Sequence, residues 1–568
     1  MIRHFLLTIG SMIVFSFALT ANDTIFIDEN QYVIDHDLKL VLSNIDLELI
    51  NTNPAESKTH INLDITYQFA EAVDEVTRGS AYQVSANQND TYSLYFTDLP
   101  IIQIETSAEI IDEADTPAYF TMIESNGNLT QSDIGIQYRG GWSQTLPKKS
   151  MEIEFWTDPK ESDQQDFALL GMRSDDDWNL QAMYNEPLRI RSKTNFALWQ
   201  MIDTLHYLDD EPDASNTVNL EYAELFIDGS YRGVYVVGEK IDRKQLKLKS
   251  HNGSIRGELY KGVSWGATTL GSLPPYDNNS EQWGGFEYKY PDNEIDWSRI
   301  HDFVDFVINS PDAAFYEGIE EQFDMDNAVN YFIFMNTLRA LDNTGKNIYV
   351  AKYSANEPYF YVAWDLDGTF GTIWHGGNAP EYDDILVNGM YERLMKEPCL
   401  ADGFREALKE RWLALRSTTL SNDSLIELLS NNHNILIENG AYERESLAWS
   451  EYTYDPSGFD YMTNWINNRT NYLDAQFGDD CVPILNTVDY SESAYLIGPN
   501  PTYGLLNIRN ENDTTLDVSF YNNVGQLILE VELYGTDNSI LLDGLRSGFY
   551  TMSIVANDNI ETHRIEVR

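Results

Sequence analysis

One stretch constrains the fold more than any other: "LDNTGKNIYVAKYSANEPYFYVAWDLDGTFG", residues 341–371. Two runs rich in Tyr, Val and Phe, "NIYVAKY" and "YFYVAW", flank the turn-like "SANEP" and predict two short antiparallel strands. A hairpin returns its second end beside its first. Asp342 and Asn347, before the first strand, must therefore share a mouth with Asp365 and Asp367, after the second. A helical run, "DMDNAVNYFIFMNTLRA", leads into this loop. Three carboxylates and a carboxamide at one mouth fit either a solubilising acidic loop or a site for a metal ion and phosphate.

The chain has 568 residues, too many for one compact core, and its 42% hydrophobic and 13% aromatic content is ample for burial. With 37 Lys and Arg against 91 Asp and Glu the formal charge is −54, which excludes a general nucleic-acid binder because phosphate contacts need a basic surface. Arg3, the apolar run Phe5–Leu19 and small residues near Ala21 predict a secretory signal peptide over residues 1–21. No later segment approaches membrane length, so no transmembrane segment is expected after cleavage. Only two cysteines occur, Cys399 and Cys481, and a disulfide between them is an expectation from the export context.

The patterning predicts an α+β chain. Residues 22–97 alternate polar and apolar, as in an antiparallel β region. Strands dominate from 98 to about 260. They are broken by a helix over "EPLRIRSKTNFALWQMIDTL" and include a hairpin turning at Asp228-Gly229. Helical patterns follow to about 475, and short strands return in 490–568.

Protein kinases order their parts as residues 341–365 do: a catalytic Asp, an Asn five residues on, a hairpin, then a metal-binding Asp. Mg²⁺ takes one or two carboxylates plus phosphate oxygens, which this mouth could supply. Basic residues point the same way. Between Arg139 and Lys261 lie 16 of the 37 Lys and Arg residues, in 123 positions, about twice the chain average. The clusters are Lys148-Lys149, then Arg189, Arg191 and Lys193, then Lys240 through Lys249. Taken singly they suit solvated faces; taken together they suit a phosphate cleft in an acidic protein.

"YRGGWSQTLPKKSMEIEFW", "GSYRGVYVVGEKID", "GELYKG", "LDNTGKNIYV" and "WDLDGTFG", in this order, resemble the spore-coat CotH kinase family, and "NWINNRTNYL" resembles its closing helix. The resemblance covers about 98–476 and implies an atypical kinase-like central domain, 98–480, that uses ATP with Mg²⁺ or Mn²⁺. It implies Asp342 as the catalytic acid–base residue and Asp365 as a metal ligand; the kinase ordering adds Asn347. Asp367 is a second ligand or a turn former. Arg139 to Ser143 stand where a phosphate-covering loop would be. Lys148 and Lys149 are the basic pair behind it, with Lys149 expected to face the phosphates because strand side chains alternate. Glu186 is the helical Glu available to pair with it; Glu239 and Lys261 sit in family motifs without an assigned role.

The tail motifs "NPTYGLLNIRN", "VSFYNNVGQLIL" and "LLDGLRSGFYTMSIV" resemble the C-terminal sorting domain of type IX secretion, implying a β-sandwich. The expected protein is secreted or held at the cell surface, reaching it through the periplasm and the type IX machinery. It would phosphorylate Ser or Thr of extracellular or surface proteins. The rival is a surface adhesion or scaffold protein that keeps the fold without the activity.

Overall fold

The computed structural model describes residues 23–478 and 495–568, apart from 52–56, 88–89, 160–162, 399–402, 503, 511–514, 523–525, 543 and 557–558. The expected signal peptide, Cys399 and Cys481 lie outside the described residues. The chain forms two compact units, the first ending at Cys481 and the second beginning at Val482.

Within the first unit, seven strands between Thr24 and Phe96 form one sheet. An antiparallel region is expected there, but two pairs are parallel: Thr24–Phe26 beside Lys58–Asn62, and Leu40–Ser43 beside Asp90–Phe96. The hairpin Tyr32–Asp35/Leu40–Ser43 lies at the edge opposite Thr24–Phe26, so the chain crosses the sheet between them rather than meandering. Alternate residues such as Tyr67 and Phe69 point into this sheet's own apolar cluster.

A closed seven-stranded barrel follows. Its strands are β1 (Ile101–Thr106), β2 (Thr116–Ile123), β3 (Leu129–Tyr138), β4 (Met151–Trp156), β5 (Asp177–Gln181), β6 (Leu220–Ile227) and β7 (Ser230–Gly238). They close in the order β3-β4-β5-β7-β6-β1-β2. Ile104, Phe120, Ile136, Ile153, Phe155 and Val237 help fill the interior, so the barrel is a packed core and not a channel. The expected β6–β7 hairpin turns at Asp228 and Gly229, with φ of +50° and +74°, the left-handed pair that a two-residue turn requires. Between β5 and β6 runs helix α1 (Arg191–Ile202), starting later than the Pro187 signal predicts. The Glu186 carboxylate accepts from the backbone N–H groups of Ile190 and Arg191 and sets the start there.

A five-stranded sheet carries the opening stretch. Its strands are β8 (Glu258–Gly262), β9 (Gln282–Trp283), β10 (Phe286–Tyr290), β11 (Ile348–Lys352) and β12 (Tyr359–Ala363), in the order β9-β10-β8-β11-β12. The expected hairpin is β11–β12, paired antiparallel from Ile348↔Ala363 to Lys352↔Tyr359, with both strands wholly buried. Helix α2 (Met325–Leu338) precedes it. Asp324 caps α2 by accepting from Asn327 N at 3.2 Å, and every residue from Asn327 to Leu338 is buried. Hydrophobic nearly all round, α2 runs through the core. Later helices include Phe404–Arg416, Asn422–Glu438, α3 (Ala441–Ala448) and Ser457–Phe477, the last containing the expected closing helix.

In the second unit a three-stranded and a four-stranded antiparallel sheet share one apolar cluster, with Leu506, Val518, Phe520 and Ile554 at its centre. Among the described residues no helix is long and apolar enough to cross a membrane.

Candidate active site

A cleft of about 440 Å³ opens where the hairpin mouth meets the loop after β3. Asp342, Asn347, Asp365 and Asp367 all line it, as do Arg139, Gly140, Gly141, Trp142 and Ser143 from the loop and Lys148 behind it. The hairpin thus brings the acid–amide set together, as its topology requires. Asn347 and Asp365 both take left-handed backbone angles, φ +54° and +53°, one on each side of the hairpin mouth.

Among the described residues, the side chains of Asp342, Asn347 and Asp365 form no hydrogen bond or ion pair, although all three line the cleft. Burial pushes the Asp342 carboxyl up; Lys346 pulls it back and Asp365 pushes it further. Asp365 lies deep between the cleft walls while its side chain stays open to the cleft space. Its surroundings push it up, opposed by the charges of Arg139, Lys261 and Lys346. Asp367 differs. Asn185 Nδ2 donates to its Oδ2 at 2.7 Å and to the Trp374 carbonyl at 2.6 Å. Burial, reinforced by Asp365, pushes Asp367 up to about 8.

Three cations face these carboxylates without an ion pair among the described residues: Arg139, Lys261 and Lys346, all lining the cleft. Arg139 and Lys261 lie 5.7 and 5.9 Å from the ring of Trp364. Burial and the neighbouring Arg139 charge push Lys261 down. Trp142 from the loop meets Trp374 edge-on, centroids 4.7 Å apart, where both rings are exposed at the rim.

The lysine pair reverses the sequence expectation. Strand β4 begins at Met151, so Lys148 and Lys149 precede it and strand alternation does not apply to them. Lys149 is outside the cleft lining, its ammonium 4.8 Å over the Tyr138 ring, whereas Lys148 is buried and lines the cleft. Lys148 Nζ donates to Glu445 Oε1 at 2.7 Å and to the Val234 carbonyl at 2.6 Å. Glu445, on α3, also accepts from Arg189 at 3.1 Å and from Val234 N at 2.9 Å. Burial pushes Lys148 down to about 8 despite the pull of Glu445. Burial acts on Glu445 in the opposite direction, but Lys148 and Arg189 outweigh it and hold that carboxyl low. The lysine's partner is therefore Glu445 and not Glu186, which is occupied in starting α1.

Most of the other sequence-clustered cations serve the fold. Arg189 pairs with Glu445, buried Arg191 donates to the Thr369 carbonyl at 3.1 Å, and Lys193 pairs with Glu221 at 3.0 Å. Lys240, Lys244 and Lys249 pair with Glu152, with Asp175 and Asp176, and with Glu211. Glu239, which sits in a motif, accepts from Arg173 N and Asn219 N and is also structural. Sequence reasoning missed Lys346, Asn185 and Glu445. Lys346 lies inside the opening motif and was there to be found; Glu445 lies 297 residues from Lys148 and no local pattern links them.

Outside the cleft, Asp166, Asp175 and Asp176 bring ligand oxygens within 4.8 Å of one another, a grouping that could hold a metal ion. Lys244 reaches Asp175 at 2.8 Å and Asp176 at 2.6 Å, and Arg173 also pairs with Asp175.

Fold and cleft together define an α+β protein whose acidic mouth is ringed by unpaired cations. The family model described as CotH kinase protein matches residues 136–473, more than half of the chain, and the chain belongs to that family. A second model, the secretion system C-terminal sorting domain, matches 496–568. No curated protein is significantly similar to the chain. The sorting domain directs the protein by type IX secretion to the cell surface or surroundings, and the family implies use of a nucleotide.

Proposed function

We propose that this chain is a secreted protein kinase that transfers the γ-phosphoryl group of ATP to Ser or Thr of extracellular or surface proteins. The observation that carries this reading is the cleft itself. Three polar side chains without partners among the described residues face three cations without ion pairs there, which is the complement of a metal-bound polyphosphate. Residues 98–480 form the kinase domain, 22–97 an accessory β domain, and 490–568 a sorting β-sandwich.

The donor set fits a hard divalent cation. Asp365 and Asn347 would hold Mg²⁺ or Mn²⁺, with Asp367 beside them. The oxygens of Asp342, Asp365 and Asp367 do not close into a cage of their own, which leaves room for phosphate oxygens and water. The ion would neutralise charge developing on the transferred group. Asp342 would orient the acceptor hydroxyl and take its proton as the oxygen–phosphorus bond forms and the bond to the nucleoside diphosphate breaks. Lys148, held by Glu445, would steady the phosphates in place of Lys149, while Arg139, Lys261 and Lys346 balance their charge.

Calorimetry of Mg²⁺–ATP and Mn²⁺–ATP binding, followed by transfer from labelled ATP to extracellular proteins of the host, tests the proposal. Metal-dependent nucleotide binding and label on Ser or Thr are the expected result. No binding with either metal would reject the kinase and favour the scaffold.

A further inference from the structure

Helix α3 carries two adjacent buried charges with different partners. Glu445 pairs with Lys148, which lines the cleft. Arg444, fully buried, pairs with Glu224 on β6, donates to the Asn439 carbonyl at 2.6 Å and lies 5.3 Å from the ring of Tyr95 in the N-terminal sheet. The helix has only eight residues, and no side chain caps its first turn at Gly440. So short a helix has little stability of its own, and tertiary contacts must hold it.

The N-terminal sheet supplies such contacts at two points. At the turn into α3, Asn439 Oδ1 accepts from Thr97 Oγ1 at 3.0 Å and from Asp98 N at 2.6 Å, immediately beyond the sheet's last strand. Gly79 and Gly440 pack backbone to backbone there, both at positive φ, and a Cβ on either would overlap the other's main chain. Alongside α3, Leu40, Leu42 and Tyr95 pack on Ile101, Phe226 and Tyr231 of the barrel, with Ala448 of α3 against the same cluster. Asp35, also of the sheet, accepts from Tyr231 N at 2.8 Å, and the Tyr231 hydroxyl donates to Glu224, the partner of Arg444. Close approach of hairpin and helix depends on Gly233, at φ +88°, where a Cβ would overlap the Glu445 carboxylate.

We propose that the N-terminal sheet is an intramolecular brace: by clamping the turn before α3 it fixes Glu445, and Glu445 positions Lys148 in the cleft. Glu445 is a positioning residue, and the sheet is the element that sets it. A buried ion pair keeps its geometry only if both backbones are held, since a displaced partner leaves an uncompensated buried charge. Only the last step, from Lys148 to the phosphates, rests on the kinase reading; the coupling from sheet to lysine does not.

Site-resolved acylation of lysines in the ligand-free full-length protein, read by peptide mass spectrometry, tests the brace. Asn439→Ala removes both hydrogen bonds that the turn accepts from Thr97 and Asp98. Thr97→Val removes one hydroxyl at nearly constant volume and serves if the first variant fails to fold. Lys148 labelling should rise about tenfold in Asn439→Ala and about twofold in Thr97→Val, with Lys149 as the internal reference unchanged. Val84→Ala, in the sheet's own core, controls for general loosening and should leave Lys148 protected. Protection of Lys148 in every folded interface variant would overturn the brace, as would equal exposure of Lys148 in Val84→Ala. Nucleotide affinity should fall about tenfold in Asn439→Ala with kcat retained. Unchanged affinity in a variant whose Lys148 has become reactive would overturn the link to the cleft. A wild type that binds no nucleotide counts against the kinase alone, because the lysine measurement needs no ligand.

Discussion

Two acidic neighbourhoods of the first unit have been resolved in opposite ways. Asp175 and Asp176, buried beside Asp166, are matched by Lys244 and Arg173, so their charges hold loops together. Asp342 and Asp365 have cations nearby but, among the described residues, no ion pair within 4.0 Å; Arg139, Lys261 and Lys346 act on Asp365 from a distance across the cleft. Acids packed against their counter-ions are finished structure. Acids and cations lining one cavity without touching are set for something placed between them. The cations obey the same rule. Arg189, Lys193, Lys240, Lys244 and Lys249, from runs dense in sequence, are spent on ion pairs and Arg191 on a carbonyl, while the three unpaired cations of the cleft come from three separate segments.

The comparison breaks most sharply at the hairpin mouth. Asp342→Asn should leave metal–nucleotide binding intact while transfer falls about 10²-fold or more, the scale of general acid–base catalysis. Asp365→Asn should instead weaken metal–nucleotide binding itself. Calorimetry and a transfer assay on each variant separate the two roles, and equal behaviour would show the mouth to be one more structural cluster.

Next in size, Lys261→Ala and Lys346→Ala should each weaken nucleotide binding by about tenfold, as expected for loss of a charge-assisted contact. Lys249→Ala, from the dense run, should leave affinity unchanged, since Lys249 is engaged with Glu211 outside the cleft. A smaller effect belongs to the paired neighbourhood. Lys244→Met removes a half-exposed partner from two buried carboxylates and should cost about 1–2 kcal/mol in denaturant unfolding without altering nucleotide affinity.

The remaining expected effect is a pH dependence. Because Asp367 is pushed from 3.8 up to about 8, the folded protein binds a proton that the unfolded chain releases, so this group makes stability fall as pH rises from about 4 to 8. Asp367→Asn should flatten that slope. At pH 7 a divalent cation entering the cleft should expel the same proton, detectable as buffer-dependent binding heat.

Much of this was legible along the chain. The β11–β12 hairpin, the Asp228-Gly229 turn and the helix before Asp342 follow from period and turn residues, both local properties. The convergence of Asp342, Asn347, Asp365 and Asp367 follows from them, because a hairpin cannot separate its own ends. Parallel pairing in the N-terminal sheet was not legible, since alternation marks a strand and says nothing of its neighbour.

What the sequence determined by itself was therefore the mouth, the family and the exported tail: each rests on short motifs whose residues are close together in the chain. Only the tertiary structure decided which lysine enters the cleft, which cations stay unpaired, and that Glu445 holds Lys148 across 297 residues. The physical reason is that an ion pair depends on distance in space and on burial. Nothing in the neighbours of Lys148 distinguishes it from Lys149 until the chain has folded around one of them.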